Sequence, residues 1–325
     1  MMNVVARRGL LPRWGLALLL AGSLTPLQAA ASVPLSDEAL ALARTLQAAQ
    51  MGVDRAGNLW TRDSQSGAIR LYSPKGAELA RSRVSGALSV DVDHEWGVAA
   101  VVSHGFELRL MPPGDKPEVS IQLGERADGV AWIDPQTVAV SQALAAHRVE
   151  IWNTQQRKIL RKLGTETALQ PEPGVTILRT VGLEYDPRRN LLYTLGSYKG
   201  DLQVFSLDGQ TVRQEQLPLP DRTELETFFA EQGRQKKARN EIFTPSIRWF
   251  RQAVDDNGTV WSVQQCDPQR GKAVFLKVPL QGKMEVIETE ERCCSKSLVL
   301  WGGWLLLYSD PASPRASCSS VRRLP

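Results

Sequence analysis

One unit recurs along this chain, and its recurrence limits the fold more than any other feature. A short strand runs into an acidic turn and a second strand: "MGVDRAGNLWT" from Met51, "LSVDVDHEWGVAAV" from Leu88, "VAWIDPQTVAV" from Val130, "LEYDPRRNLLYTL" from Leu183 and "QAVDDNGTVWSV" from Gln252. A third, alternating strand then closes in a turn: "AIRLYSPKG", "FELRLMPPG", "RVEIWNTQQR", "LQVFSLDG" and "VFLKVPLQG". Asp54, Asp91, Asp134, Asp186 and Asp255 are expected at equivalent turn positions. Aspartate suits such a place because its carboxylate accepts hydrogen bonds from nearby backbone N–H groups. A weaker sixth copy, "SLVLWGGWLLLYS" followed by "SCSSVRRL", has Gly302 and Gly303 in place of the acidic turn.

The spacing is roughly 40–50 residues with four strands per unit, the signature of a ring of small sheets. Such units bury their faces only against their neighbours and so close into a circle. The expectation is an all-β, six-bladed β-propeller of four-stranded blades, with a helical insertion between blades over 218–246. Blade six lacks an outer strand in sequence. Leu35–Gln47 is the segment available to complete it, as a latch strand or as a short helix with Ser36 at its N-cap. The alternative architecture is a β-sandwich of unrelated hairpins.

The pattern D-x-x-G-N-L-W at Asp54–Trp60, echoed by D-N-G-T-V-W at Asp256–Trp261, resembles the repeats of the NHL, YVTN and SMP-30/gluconolactonase-like propellers. The resemblance covers most of the chain after residue 31. It implies a fold and brings no catalytic residue with it.

The first residues read differently. Arg7, Arg8 and Arg13 precede an apolar run from Trp14 to Leu24, and Ala29-Ala30-Ala31 offers a small-residue cleavage site. This is the pattern of a secretory signal peptide over 1–31, of Sec type or, through the Arg7-Arg8 pair, of twin-arginine type. One domain, 32–325, follows. No later apolar run is long enough to span a membrane. The expected location is the periplasm or the exterior. The formal charge of +4 falls toward neutrality once the basic leader is removed, which argues against nucleic acid as a partner.

Four cysteines, Cys266, Cys293, Cys294 and Cys318, lie late in the chain. In an exported protein an even count suggests disulfides. Cys266 with Cys293 and Cys294 with Cys318 would staple the last blade; the crossed pairing and a vicinal Cys293–Cys294 bridge are the alternatives.

In a propeller the loops joining strands two and three share a face with the connections between blades. Arg62, Asp63, His104, Asp128, His147, Tyr198, Lys199 and Asp267 fall on that face as candidates for binding, because loops on a rigid scaffold commonly carry function. The insertion adds Leu225, Phe228 and Phe229 at helical spacing, then a basic run with Lys236 and Lys237, a composition that fits a protein partner. The expected function is a non-enzymatic binding or scaffold module without a cofactor. The alternative is a propeller enzyme: a lactonase-like hydrolase with one divalent metal in the central channel, or a lyase using His104, His147 and Glu184 as acid and base. His94 lies in an acidic turn on the opposite face.

Overall fold

A computed structural model describes residues 34–46, 50–63, 65–114, 116–142, 147–165, 181–196, 200–218, 231, 234–235, 238–239, 250–264, 274–288, 297–308 and 319–323. Blade one is formed by β1 (Gln50–Val53), β2 (Leu59–Arg62), β3 (Ala68–Tyr72) and β4 (Glu78–Arg83). Blade two has β5 (Ser89–Asp93), β6 (Gly97–Val102), β7 (Glu107–Met111) and β8 (Val119–Gln122). Blade three has β9 (Ala127–Asp134), β10 (Thr137–Gln142), β11 (His147–Asn153) and β12 (Lys158–Thr165). Blade four has β13 (Val181–Asp186), β14 (Leu191–Gly196), β15 (Asp201–Ser206) and β16 (Thr211–Gln216). Blade five has β17 (Phe250–Val254), β18 (Val260–Gln264), β19 (Val274–Val278) and β20 (Glu285–Glu288). Each is an antiparallel meander in chain order. The first strands of successive sheets are neighbours around a channel, and β1 meets the first strand of the last sheet to close the circle.

The sequence expectation of six four-stranded blades is corrected here. Five sheets have four strands; the last has three, β21 (Ser297–Trp301), β22 (Trp304–Tyr308) and β23 (Ser319–Arg323). The expected helical insertion is corrected too: the one α-helix described from end to end is α1 (Asp37–Thr45), at the other end of the domain. Most of 218–246 lies outside the described residues. α1 takes up the Ser36 N-cap, whose hydroxyl accepts from Ala39 N at 3.2 Å, with Asp37 and Glu38 in its first turn. It lies beside β23, starting where Ser36 N donates to Pro74 O and leading toward β1. That is the place and direction of the absent fourth strand. Its apolar residues suit helix rather than strand, because Leu35, Ala39, Ala43 and Leu46 recur at helical spacing and pack together.

The core is divided into one cluster per boundary. Trp60, Ile69 and Leu71 of blade one meet Val90, Val92, Val98 and Ala100 of blade two. Ala99 and Val101, the alternate residues of β6, face blade three with Trp132, Val138 and Trp152. A second strand buried on both faces must be apolar throughout, which is why β6 reads GVAAVV and β14 reads LLYTLG. The outermost strands touch one neighbour and turn polar, as in β4 with ELARSR. At the closing boundary Met51 and Leu59 pack on Val299, Trp301 and Leu306, with Ala39 and Ala43 of α1 completing the cluster. Trp301 Nε1 donates to Gly57 O at 2.9 Å across this seam.

Candidate functional site

The two faces of the ring are built differently. One carries the turns between strands one and two and between strands three and four. There the acidic residue of each unit anchors its turn. Asp54 Oδ1 accepts from Ala56 N and Asn58 N at 2.9 and 2.8 Å, and Asp255 Oδ1 accepts from Asn257 N and Thr259 N at 2.8 and 2.9 Å. Asp134 and Asp186 do the same for Gln136 N and Arg188 N. In blade two the anchor is Asp93, which accepts from Glu95 N and Trp96 N. The sequence expectation put Asp91 in that role; the register of β5 on β6 pairs Asp93 with Gly97 and leaves Asp91 two residues inside the strand.

Several of these turns also tie blade to blade. Asp54 Oδ2 accepts from His94 N at 3.3 Å, and Arg55 Nε bonds Asp93 Oδ2 at 2.9 Å. The Arg55 guanidinium lies over the Trp96 ring, 3.1 Å from its centroid, and Trp96 meets Trp132 edge to face. Arg189 Nη2 donates to Asp256 O at 2.7 Å.

The opposite face carries the longer connections: 166–180, 217–249, 265–273, 289–296 and 309–318 all leave the ring there. Asp63 is exposed and anchors its own turn, accepting from Gln65 N, Ser66 N and Ser66 Oγ, bonds that hold its carboxyl below the usual range. Arg62 is buried, 5% exposed, with Nη1 on Gln50 Oε1 at 3.2 Å, and burial lowers its guanidinium from the ordinary arginine value. His104 is exposed in the single turn Ser103–Gly105, where Ser103 and His104 both have positive φ, 52° and 60°. His147 begins β11 and bonds Glu150 Oε1 through Nε2 at 2.8 Å. Among the described residues, no hydrogen bond or ion pair joins His104, His147 and Glu184. Tyr198, Lys199, Leu225, Phe228, Phe229, Lys236, Lys237, Asp267 and the four cysteines lie outside the described residues.

Two features of this half of the molecule were not anticipated. Glu150, 2% exposed, gathers four donors: Gln142 Nε2 at 2.8 Å, Trp152 Nε1 at 3.0 Å, His147 Nε2, and Lys162 Nζ at 3.5 Å. Beside it the fully buried Arg148 crosses to blade four, where it pairs with the Asp201 carboxylate and donates to Asp201 O at 2.7 Å. Gly196 makes room for this pair, since a Cβ there would lie 1.9 Å from Asp201 Oδ1.

The channel holds the second. Innermost strands have an unpaired edge, so their backbone N–H groups need other acceptors. Asp91 Oδ2 accepts from Trp132 N of β9 at 2.7 Å, and Glu184 Oε1 accepts from Val254 N of β17 at 3.1 Å. Each carboxyl keeps some accessible surface yet is enclosed by protein, and burial pushes Asp91 up to about 7 and Glu184 up to about 8. The neighbouring charges that add to the shift are Asp93 and Asp54 for Asp91, and Asp186 and Asp91 for Glu184. Among the described residues, no group of three His, Cys, Asp or Glu is placed to hold a metal ion. No described helix is long and apolar enough to cross a membrane.

No known protein-family profile matches this chain, and no curated protein matches it in sequence. Solved structures do. A catalytically inactive variant of virginiamycin B lyase from Staphylococcus aureus, with quinupristin, is 10% identical, with a TM-score of 0.54 over 91% of this chain and 87% of that one. A streptogramin B lyase is 9% identical, with a TM-score of 0.52 over 86% and 85%. The Cps50 (Swd1) β-propeller domain of Myceliophteria thermophila is 9% identical, with a TM-score of 0.51 over 80% and 78%. The chain is a β-propeller. At these identities the likeness is one of fold, and it is shared by a lyase and by a domain of another kind.

Proposed function

We propose that this chain is an exported binding propeller, without cofactor, whose recognition surface is the face of long connections and whose partner is a protein. The observation that carries the reading is the contrast between the faces: short, Asp-anchored turns tie blades together on one, while 166–180, 217–249, 265–273, 289–296 and 309–318 leave from the other. A rigid disc with variable loops needs no special chemistry to bind. In this reading Leu225, Phe228 and Phe229 are apolar anchors, Lys236 and Lys237 steer encounter, and Arg62 and Asp63 shape the rim beside Tyr198 and Lys199. Disulfides among Cys266, Cys293, Cys294 and Cys318 would brace the connections around the last sheet.

The test is site-specific photo-crosslinking in the native compartment. A crosslinker at position 228 or 229 is expected to trap one defined protein. One at Glu95, exposed on the opposite face, is expected to trap none. The same adducts from both positions would overturn the reading, as would a Phe228→Ala, Phe229→Ala variant that melts far below the parent.

One observation favours the enzymatic alternative: Glu184 is a carboxyl held protonated near neutrality inside a channel, the state a general acid requires. A lyase would use it with His104 and His147; a lactonase-like hydrolase would add a divalent metal. Lactone turnover that chelator abolishes favours the hydrolase. Turnover that resists chelator and falls at least about 100-fold in Glu184→Gln favours the lyase.

A further inference from the structure

Asp91 and Glu184 sit at the same depth in different blades, each two residues before the aspartate that anchors its turn, Asp93 and Asp186. Each reaches the next blade's innermost strand and accepts a hydrogen bond from its backbone, Asp91 from blade three and Glu184 from blade five. The charge of Asp91 also bears on Glu184. The other ionisable groups that bear on them are acidic: Asp54 and Asp93 on the blade-one and blade-two turns for Asp91, and Asp186 on β13 for Glu184; the Tyr193 hydroxyl, itself affected by Glu184, would likewise be negative if ionised. Asp134, at the end of β9, faces Tyr185. The basic groups beside these turns are Arg55, held by Asp93 and the Trp96 ring, and Arg189, held by Asp186.

We propose that Asp91 and Glu184 form a proton-operated latch between blades: as neutral acids they seal the channel side of two blade boundaries, and their ionisation loosens the ring. Two effects compete when the protons leave. A carboxylate accepts an N–H bond more strongly than a neutral carboxyl does. Against that stand the loss of hydration in an enclosed channel and repulsion among the surrounding carboxylates. Burial is the larger influence on both groups. The ionised pair therefore gains most by admitting water, which separates the strands it joined.

The sign follows from proton counts. In the unfolded chain these groups release their protons near their ordinary values, 3.8 and 4.5; in the folded chain they hold them to about 7 and about 8. Between these limits the folded state binds more protons, so their contribution to stability falls as pH rises through the window and is constant above it.

The experiment is thermal melting of the full mature protein from pH 5.5 to 9, beside Asp91→Asn, Glu184→Gln and the double variant. Parallel carboxyl carbon NMR is recorded on the wild type. The wild-type Tm is expected to fall by roughly 5–10 °C over this range while the double variant stays flat. Two carboxyl resonances are expected to titrate near neutrality. Parallel melting profiles for wild type and double variant, or carboxyl signals that all titrate in the ordinary acidic range, would overturn the latch. Should the double variant fail to fold, the wild-type carboxyl titration decides alone. A binding role for the opposite face stands or falls separately.

Discussion

The two faces of this ring divide the work between them. On the turn face, a side chain from one blade commonly ends on the backbone or carboxylate of the next: Asp54 on His94 N, Arg55 on Asp93, Arg189 on Asp256 O and Trp301 on Gly57 O. On the other face, anchored turns such as 63–67 and 103–105 satisfy themselves locally. Asp63 holds its own turn, and Ser103 Oγ bonds Glu107 at 2.7 Å within blade two. One face holds the ring together and leaves the other free to vary. Ties between blades on the long-connection face are fewer: Gln50 Nε2 donates to Leu88 O at 2.7 Å, Ser141 Oγ to Val181 O at 3.1 Å, and Arg148, buried between blades three and four, takes its counter-charge from Asp201.

The contrast can be broken in order of expected effect. Trp301→Ala should cost about 3–5 kcal/mol by opening a cavity at the closing seam and removing its bond to Gly57. A Trp301→Phe variant separates these terms, since it keeps most of the volume and loses the bond. Arg148→Ala should cost about 3–5 kcal/mol as well, because it leaves the Asp201 carboxylate without its partner at a blade boundary. Denaturant titration that finds this loss below about 1 kcal/mol would show that this buried pair is no anchor of the long-connection face.

Smaller effects sharpen the comparison. Asp54→Ala should cost about 2–3 kcal/mol, because the buried N–H of Asn58 and the partly buried N–H groups of Ala56 and His94 lose their acceptor. Asp63→Ala, an equivalent removal from an exposed turn, should cost only about 0.5–1 kcal/mol. Equal losses in urea melts would mean that the faces are not mechanically distinct. His104→Gly should raise stability by about 1 kcal/mol, since the residue occupies a left-handed conformation that glycine adopts freely. A loss there would show the imidazole making a contact worth more than the strain.

How much of this was legible depended on whether a residue's neighbours were local. Apolar alternation revealed the blades, because burial against both neighbours makes the second strand of each unit continuous in sequence. Ser36 marked a possible helix start for the same local reason, but the choice between helix and latch strand stayed open in sequence. The shift from Asp91 to Asp93 was missed because VDVD places two aspartates at strand period, either of which suits a turn. Glycine spacing holds the clue: Gly57 and Gly258 follow Asp54 and Asp255 by three residues, Gly97 follows Asp93 by four, and Asp91 is two farther away. The hydrogen bonds of Glu150, Arg148 and Glu184 were not legible. Nothing local marks a charged residue in a strand as buried: Arg148 and Glu184 find their partners in the next blade, and Glu150 joins two neighbours of its own strand to Gln142 and Lys162 on adjacent ones. The sixth sheet was read as weak, correctly, but what fills its open side depends on α1 choosing a helix over a strand.

That choice has a consequence for how the molecule is made. In chain order α1 and β1 come first among the described elements, and β21 and β22 lie near the other end. The cluster that joins them, with Ala39 and Ala43 against Trp301 and Leu306, spans almost the whole domain in sequence. Five sheets can form in turn as they emerge, each leaning on its predecessor, yet the first keeps one flank bare until the last sheet arrives. Closing so long a loop is the slow kind of step, and its exposed flank is the kind of surface that chaperones cover. A chain cut short before Ser297 would present that flank for good.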